Sequence, residues 1–288
     1  MKVALIGPGA IGGTLAAWLG TTRDVIICAR TPFTELVVDV PGERTLRSTP
    51  RVLLDPKDAH SVDWILTVTK TYDTASAALW IERLRGPDTK LCVIQNGVEH
   101  LTRFAGVFPP ERTLPAIIDI PAERSGPGRI VQRRHGELFV PAGALGESFC
   151  ALFEGLALRP TLTDDFLTAA WRKLALNSAG IVHALTLKPA RVVHNEGAAR
   201  AMRALCRETI AVGRAEGANL SDTVADDVLE RLRKSAPESI NSLLADRLAK
   251  RPMEIDARNG VVVRLGKKHG VPTPLTEMAV ALLEAAIE

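Results

Sequence analysis

The chain has 288 residues, 46% of them hydrophobic and 24% charged, which is enough apolar material for one large core or two smaller ones. A formal net charge of +3 and an aromatic content of 4% offer neither the strongly basic face nor the stacking platform of a nucleic-acid-binding protein. No apolar run reaches the ~18 residues that a membrane span needs. The apolar stretch after Lys2 is interrupted by Pro8 and several glycines, unlike the core of a secretory signal. These features describe a soluble protein, expected in the cytoplasm, with no membrane or nucleic-acid partner.

Cys28, Cys92, Cys150 and Cys206 are widely scattered, with no C-x-x-C pair, and are read as reduced thiols. His60, His100, His135, His183, His194 and His269 show no metal-ligand spacing, so no metal is expected. His183 is read as a core or solvated residue. Neither a G-x-S-x-G elbow nor a Walker A sequence occurs.

In chain order, residues 2–6 (KVALI) are a short apolar run fit for a strand buried on both faces. The run breaks into Gly7-Pro8-Gly9-Ala10-Ile11-Gly12 and continues with apolar residues at helical spacing. Strand, glycine turn and helix form the context in which G-x-G-x-x-G binds a dinucleotide. Gly7 permits the tight turn, Gly9 lets a pyrophosphate approach the backbone, and Gly12 lets helix and strand pack closely. The helix N-terminus then presents N–H groups and a positive dipole to the phosphates. The second strand, 24–29, ends at Arg30, where an NAD-binding fold places an acidic residue for the ribose 2′-hydroxyl. A guanidinium there suits a 2′-phosphate, so the cofactor implied is NADP.

Strand-like pieces follow at 36–40 and 51–54, then a buried strand at 63–68 (DWILTV), Lys70, and an amphipathic helix running to residue 84. Residues 91–94 form another strand, ending in Gln95-Asn96-Gly97. A strand at 114–118, an alternating pair at 129–132 and 137–140, and a helix at 144–156 close this half. Strands alternating with helices predict a doubly wound parallel sheet with some antiparallel additions.

From Thr163 the character changes. Residues 164–184, 196–216, 221–234, 239–250 and 276–287 all read as helices, with Thr163 a natural N-cap for the first. The fold class is therefore α/β, with an N-terminal Rossmann-type doubly wound sheet followed by an all-helical C-terminal domain. The expected domains are 1–162, binding NADP, and 163–288, carrying substrate and catalytic residues, with the active site in the crevice between them. One segment, 253–263 (MEIDARNGVVV), is divided. Its Asn259-Gly260 before three valines suggests a hairpin turn. Pro252, Glu254 and Asp256 suit the start of a helix instead.

The motifs GPGAIG at 7–12, Arg30, Lys70, QNG at 95–97, WRKLALN at 171–177, Asn241-Ser242 and EIDARNG at 254–260 occur in one order over the full length. In that arrangement the chain resembles the ketopantoate reductase family, which reduces a 2-keto acid with NADPH. The resemblance implies that 254–260 is helical. It also implies a small-molecule 2-keto acid substrate, most readily 2-dehydropantoate, and is compatible with a homodimer.

Reducing a ketone by hydride leaves an alkoxide, so the site needs a proton donor and groups that stabilise developing negative charge. Lys173 and Asn177, four apart on a predicted helix, share one face, which gives Lys173 as general acid and Asn177 orienting the reacting oxygen. The resemblance makes Glu254 the acidic partner on the hydroxyl side, Ser242 a carboxylate anchor, and Asn96 a neighbour of both nicotinamide and substrate. It adds Lys70 as a second cation near the adenosine phosphate. Outside the resemblance, Ser242 reads as a helix N-cap and Glu254 as a first-turn acid.

The chain departs from the family pattern at Ile181, where a second Asn is usual, and in the loop 188–195, which has no secure counterpart of a further substrate-binding Asn. With Gly180 and Ala184 in line with Lys173 and Asn177, a smaller, more apolar pocket wall is expected. Two rival functions remain: a related 2-keto acid reductase with another substrate, and a non-catalytic NADP-binding sensor. A sensor has no need for Lys173, Asn177, Ser242 and Glu254 together.

Overall fold

The computed structural model describes residues 1–42 and 45–287. The chain divides into two compact units, residues 1–95 with 99–166, and residues 96–98 with 167–288.

The first unit opens with β1 (Lys2–Ile6), α1 (Ala10–Leu19), β2 (Asp24–Cys28), β3 (Leu36–Asp39), β4 (Leu46–Ser48) and β5 (Arg51–Leu53). It continues with β6 (Trp64–Thr67), α2 (Thr74–Leu84), β7 (Lys90–Val93) and β8 (Thr113–Pro115). Six strands form one parallel sheet in the order β5-β2-β1-β6-β7-β8. The chain winds outward from β1 in one direction and from β6 in the other, so the strand order reverses between these two neighbours. Both faces are apolar because alternate residues serve different cores. Val3, Leu5, Trp64, Leu66 and Cys92 pack with α1, while Ala4, Ile6, Ile65, Leu91 and Val93 pack with Trp80, Ile81 and Leu84 of α2.

After β8 come β9 (Ile117–Asp119), β10 (Ala122–Gly126), β11 (Arg129–Gln132), β12 (Glu137–Pro141), α3 (Ala144–Cys150) and β13 (Thr161–Thr163). The single strand expected at 114–118 is thus two, in different sheets. The ladder with β7 ends at Pro115, closed by the Ala116 N–H donating to Val93 O at 3.0 Å, and Ile117 then pairs with Phe139 of another sheet. The stretches 129–132 and 137–140 also separate: β11 lies between β10 and β3, and β12 between β9 and β13. Thr163 is not a helix cap. It ends β13, its carbonyl accepts the Ala142 N–H at 2.9 Å, and the following helix starts at Phe166.

The helical unit contains most of α4 (Phe166–Ala179), then α5 (Ile181–Thr186), α6 (Glu196–Ala215), α7 (Val224–Arg233), α8 (Ser242–Leu248), α9 (Val261–His269) and α10 (Pro274–Ala285). Trp171, Leu174, Met202, Leu205, Ile210, Leu229, Val261 and Leu283 centre its core. The helix expected over 164–184 breaks at Gly180 because side chains capture the carbonyls there. Arg258 donates to Asn177 O at 2.9 Å and Asn241 to Gly180 O at 2.9 Å. The divided segment is helical, with a π-helical turn at Asp256–Gly260 leading into α9. Gly260 has φ −58°, not the left-handed value of a hairpin turn. Asn259 is fully buried and donates to Ser178 Oγ of α4 at 3.2 Å, so a tertiary bond overrides the local turn signal.

Among the described residues all four cysteines are free; burial pushes the thiols of Cys28 and Cys206 up to about 12. No helix of the described residues is long and apolar enough to cross a membrane, and no group of three or more His, Cys, Asp or Glu residues in them could hold a metal ion.

His100 is buried in the first unit, with Nε2 2.9 Å from the Gln95 carbonyl and its ring edge-on to Phe166. Burial lowers its pKa to about 4, helped by the charge of Arg103 and opposed by the Gln95 bond. Between pH 6.5 and 4 the unfolded chain therefore binds a proton that the folded chain refuses, and stability present above pH 6.5 is lost as pH falls. The loss is on the order of 3 kcal/mol by pH 4. Chemical denaturation of His100→Gln should show a shallower decline of stability over this window than the native chain; parallel curves would contradict the assignment.

Candidate active site

The glycine turn lies at the head of the sheet. Gly7 has φ +90°, and its N–H donates to Cys28 O at 3.2 Å, tying the turn to the end of β2. A Cβ there would meet the Thr69 side chain at 2.9 Å. At Gly12 a Cβ would collide with the Gly7 carbonyl oxygen, so α1 rests directly on the turn. Gly9 differs: a Cβ there meets no atom within 4 Å. Gly9 also caps α1 without a side-chain hydrogen bond, leaving the first-turn N–H groups to backbone or ligand acceptors. Pro8, Ala10 and Ile11 around it are partly exposed. An open cradle of backbone donors fits a pyrophosphate.

Arg30 follows β2 with its side chain 79% exposed, and Nη1 lies 3.3 Å from Asp73 Oδ1. Lys70 follows β6 and caps a short turn, Thr71–Asp73, its carbonyl accepting the Asp73 N–H at 2.9 Å. Both cations thus stand beyond the carboxyl ends of strands that flank β1, on the side where the glycine turn lies.

The second cluster belongs to the helical unit, which includes residues 96–98. Asn96 Nδ2 donates to Glu254 Oε2 at 2.9 Å, and Asn96 Oδ1 accepts from Asn177 Nδ2 at 3.3 Å. Glu254 is only 4% exposed and immediately precedes the helical segment. Lys173, partly buried, stands one turn before Asn177 on α4. Ser242 is not the cap of α8. Asn241 is, accepting the Leu244 N–H at 2.9 Å, while exposed Ser242 accepts from Arg258 Nη1 at 3.0 Å. An ammonium, two amides, a carboxylate and a hydroxyl therefore come from α4, the 96–98 segment, the 254–260 segment and the start of α8.

Sequence reasoning missed Arg258. It is 2% exposed, and burial lowers its pKa to about 10 against the charges of Glu254 and Asp246, so it stays a cation at neutral pH. Its spacing four residues after Glu254 was the available signal, since the two share a face once the segment is helical. The apolar wall expected around Gly180 is also corrected. Ile181 and Ala184 are fully buried in the helical core, and the atoms crowding Gly180 are polar. A Cβ there would lie 2.7 Å from Asn241 Nδ2 and 2.9 Å from Arg258 Nη2. His183 is buried, and burial lowers its pKa, opposed by a backbone hydrogen bond with Lys188 and helped by the charge of Arg258.

A dinucleotide-type sheet together with an amide, carboxylate and ammonium cluster is the equipment of a nicotinamide-dependent oxidoreductase. Residues 3–152 match the family model "Ketopantoate reductase PanE/ApbA", and residues 165–288 match its C-terminal counterpart. The chain is 54% identical over 287 residues to the 2-dehydropantoate 2-reductase of Caulobacter vibrioides, covering 99% of each chain. It is 36% identical over 287 residues to that of Mycobacterium tuberculosis, covering 99% of this chain and 97% of the relative. Among solved structures it resembles a Geobacter metallireducens 2-dehydropantoate 2-reductase (TM-score 0.92, 25% identity, 99% and 100% of the two chains). A ketopantoate reductase of Ralstonia eutropha is similar too (TM-score 0.90, 29% identity, 100% and 98%). The chain belongs to the ketopantoate reductase family, whose members are oxidoreductases that need a nicotinamide cofactor.

Gly9 and Gly12 should respond differently to a methyl group. Gly12→Ala is expected to lower the melting temperature by several degrees, because backbone must move. Gly9→Ala should leave the melting temperature close to native and weaken dinucleotide binding instead. Thermal scans and cofactor titration on both variants check this, and equal melting losses would contradict it.

Proposed function

We propose that the chain reduces 2-dehydropantoate to pantoate with NADPH, one hydride and one proton adding across the 2-keto carbonyl. The observation that carries this reading is the bonded series Asn177–Asn96–Glu254, one helical turn from Lys173. The full-length likeness to enzymes named 2-dehydropantoate 2-reductase supports the choice of substrate.

Gly7, Pro8, Gly9, Ala10, Ile11 and Gly12 would hold the pyrophosphate, and Arg30 with Lys70 the 2′-phosphate. NADPH, when bound, supplies the hydride. Lys173 donates the proton to the oxygen that becomes basic as the carbonyl is reduced. Asn177 and Asn96 hold that oxygen and the carbonyl plane in register. Glu254 accepts a hydrogen bond from Asn96 and keeps negative charge beside the ammonium, which favours the protonated lysine. Ser242 receives the substrate carboxylate. Residues 1–162 thus serve NADP and 163–288, with Asn96, serve the keto acid.

Cofactor preference rests on Arg30, whose exposed contact with Asp73 is worth little and is readily exchanged for a phosphate. A charge-assisted contact of about 1.5–3 kcal/mol corresponds to roughly a ten- to hundredfold preference. Arg30→Ala should raise the KM for NADPH far more than that for NADH; equal changes in steady-state kinetics would sink the assignment.

Lys173→Ala should lower kcat by at least about a hundredfold, the usual scale of general acid catalysis, while NADPH affinity stays near native. The test pairs kcat for 2-dehydropantoate with NADPH binding and melting temperature on one preparation. A folded variant with kcat within a few-fold of native would remove Lys173 from the chemistry.

A further inference from the structure

Ser242 and Arg258 form a pair whose donor and acceptor roles are fixed. A serine hydroxyl has one proton and two lone pairs. Arg258 Nη1 donates into one lone pair at 3.0 Å. The start of α8 does not use the hydroxyl, because Asn241 takes the Leu244 N–H. Among the described residues the Ser242 O–H has no acceptor, and Ser242 is exposed. The hydroxyl proton is therefore available to an incoming acceptor and is polarised by the cation that donates to the same oxygen.

The guanidinium itself is short of negative charge. Two of its five N–H groups go to neutral oxygens, Ser242 Oγ and Asn177 O, and Nε has no partner. No ion pair joins it to a carboxylate among the described residues. Glu254 and Asp246 act on it through space. A buried cation without a direct counter-ion is costly unless an anion arrives.

We propose that Arg258 is the positioning residue of the carboxylate subsite: it sets the Ser242 hydroxyl as a donor and supplies the positive charge that selects an anionic substrate. This rests on the 2-keto acid reading above and names the residue that gives the site its acid specificity. Through Asn177 O the same guanidinium fixes the end of α4, so the anchor and the helix that carries Lys173 and Asn177 share one support.

The test compares native protein, Arg258→Met, Arg258→Lys, Ser242→Ala and the Met–Ala double variant, using 2-dehydropantoate and its neutral carboxamide. Arg258→Met should raise the KM for the acid about ten- to a hundredfold, the scale of a charged hydrogen bond, and barely change that for the amide. The KM for NADPH should hold, and Arg258→Lys should recover part of the loss. The double variant should be little worse than Arg258→Met alone, because both changes cut one path. Equal losses for acid and amide, or independent effects of the two substitutions, would overturn the proposal. If the Met variant does not fold, the Lys variant takes its place in the same cycle, with coupling expected and independence contradictory. Should native protein reduce neither compound, the function reading fails on its own. Calorimetry with pantoate against pantoamide then decides the subsite: the native preference for the anion must vanish in the Arg258 variant, and its persistence refutes the role.

Discussion

Burial of the Glu254 carboxylate is the constraint on which the candidate active site depends. At 4% exposure its oxygens need partners inside the protein, and the Asn96 amide donates to one of them at 2.9 Å. Asn96 belongs, with residues 97 and 98, to the helical unit. Arg258 in turn is held by Ser242 and by the carbonyl of Asn177, and Asn259 ties the same turn to Ser178. These bonds fix Asn96, Asn177, Ser178, Ser242, Glu254 and Arg258 relative to one another within the helical unit. Arg258 and Asn259 lie together in the π-helical turn, and both bond to residues of α4.

The nucleotide half follows a different logic. Its positions are set by backbone: a glycine with φ +90°, a helix resting on that glycine's carbonyl, and two strands whose ends flank the turn. Hydrophobic alternation does the rest, sending odd and even residues of β1 and β6 into separate cores. Such a scaffold tolerates wide sequence change, which fits its likeness to solved reductases at 25–29% identity.

That difference explains what could be read from the chain. The sheet, glycine turn and helical second half were legible because their signals are local: apolar runs, turn residues and helical period. The break at Gly180 was not, because its causes are side chains from residues 241 and 258, distant in sequence. Nor was Thr163, whose capping chemistry lost to a strand ladder with β12. In 253–263 the local Asn-Gly signal favoured a turn, and the buried bond from Asn259 to α4 reversed it. Arg258 escaped notice since an arginine in a helical stretch ordinarily belongs to the surface; only the tertiary packing makes it a buried charge. Lys173, Asn177, Ser242 and Glu254 were nameable through family resemblance, whereas the links from Asn177 to Glu254 through Asn96 and to Ser242 through Arg258 became visible only in three dimensions.

The series Asn177–Asn96–Glu254, with Lys173 one helical turn from Asn177, is the cluster proposed to bind and protonate the substrate. The most direct measurement is a crystal structure with NADP⁺ and pantoate bound. The pantoate carboxylate is expected on the Ser242 hydroxyl beside Arg258, with the 2-hydroxyl in hydrogen-bond reach of Lys173. A pantoate seated away from these residues, or with carboxylate and hydroxyl exchanged, would contradict it.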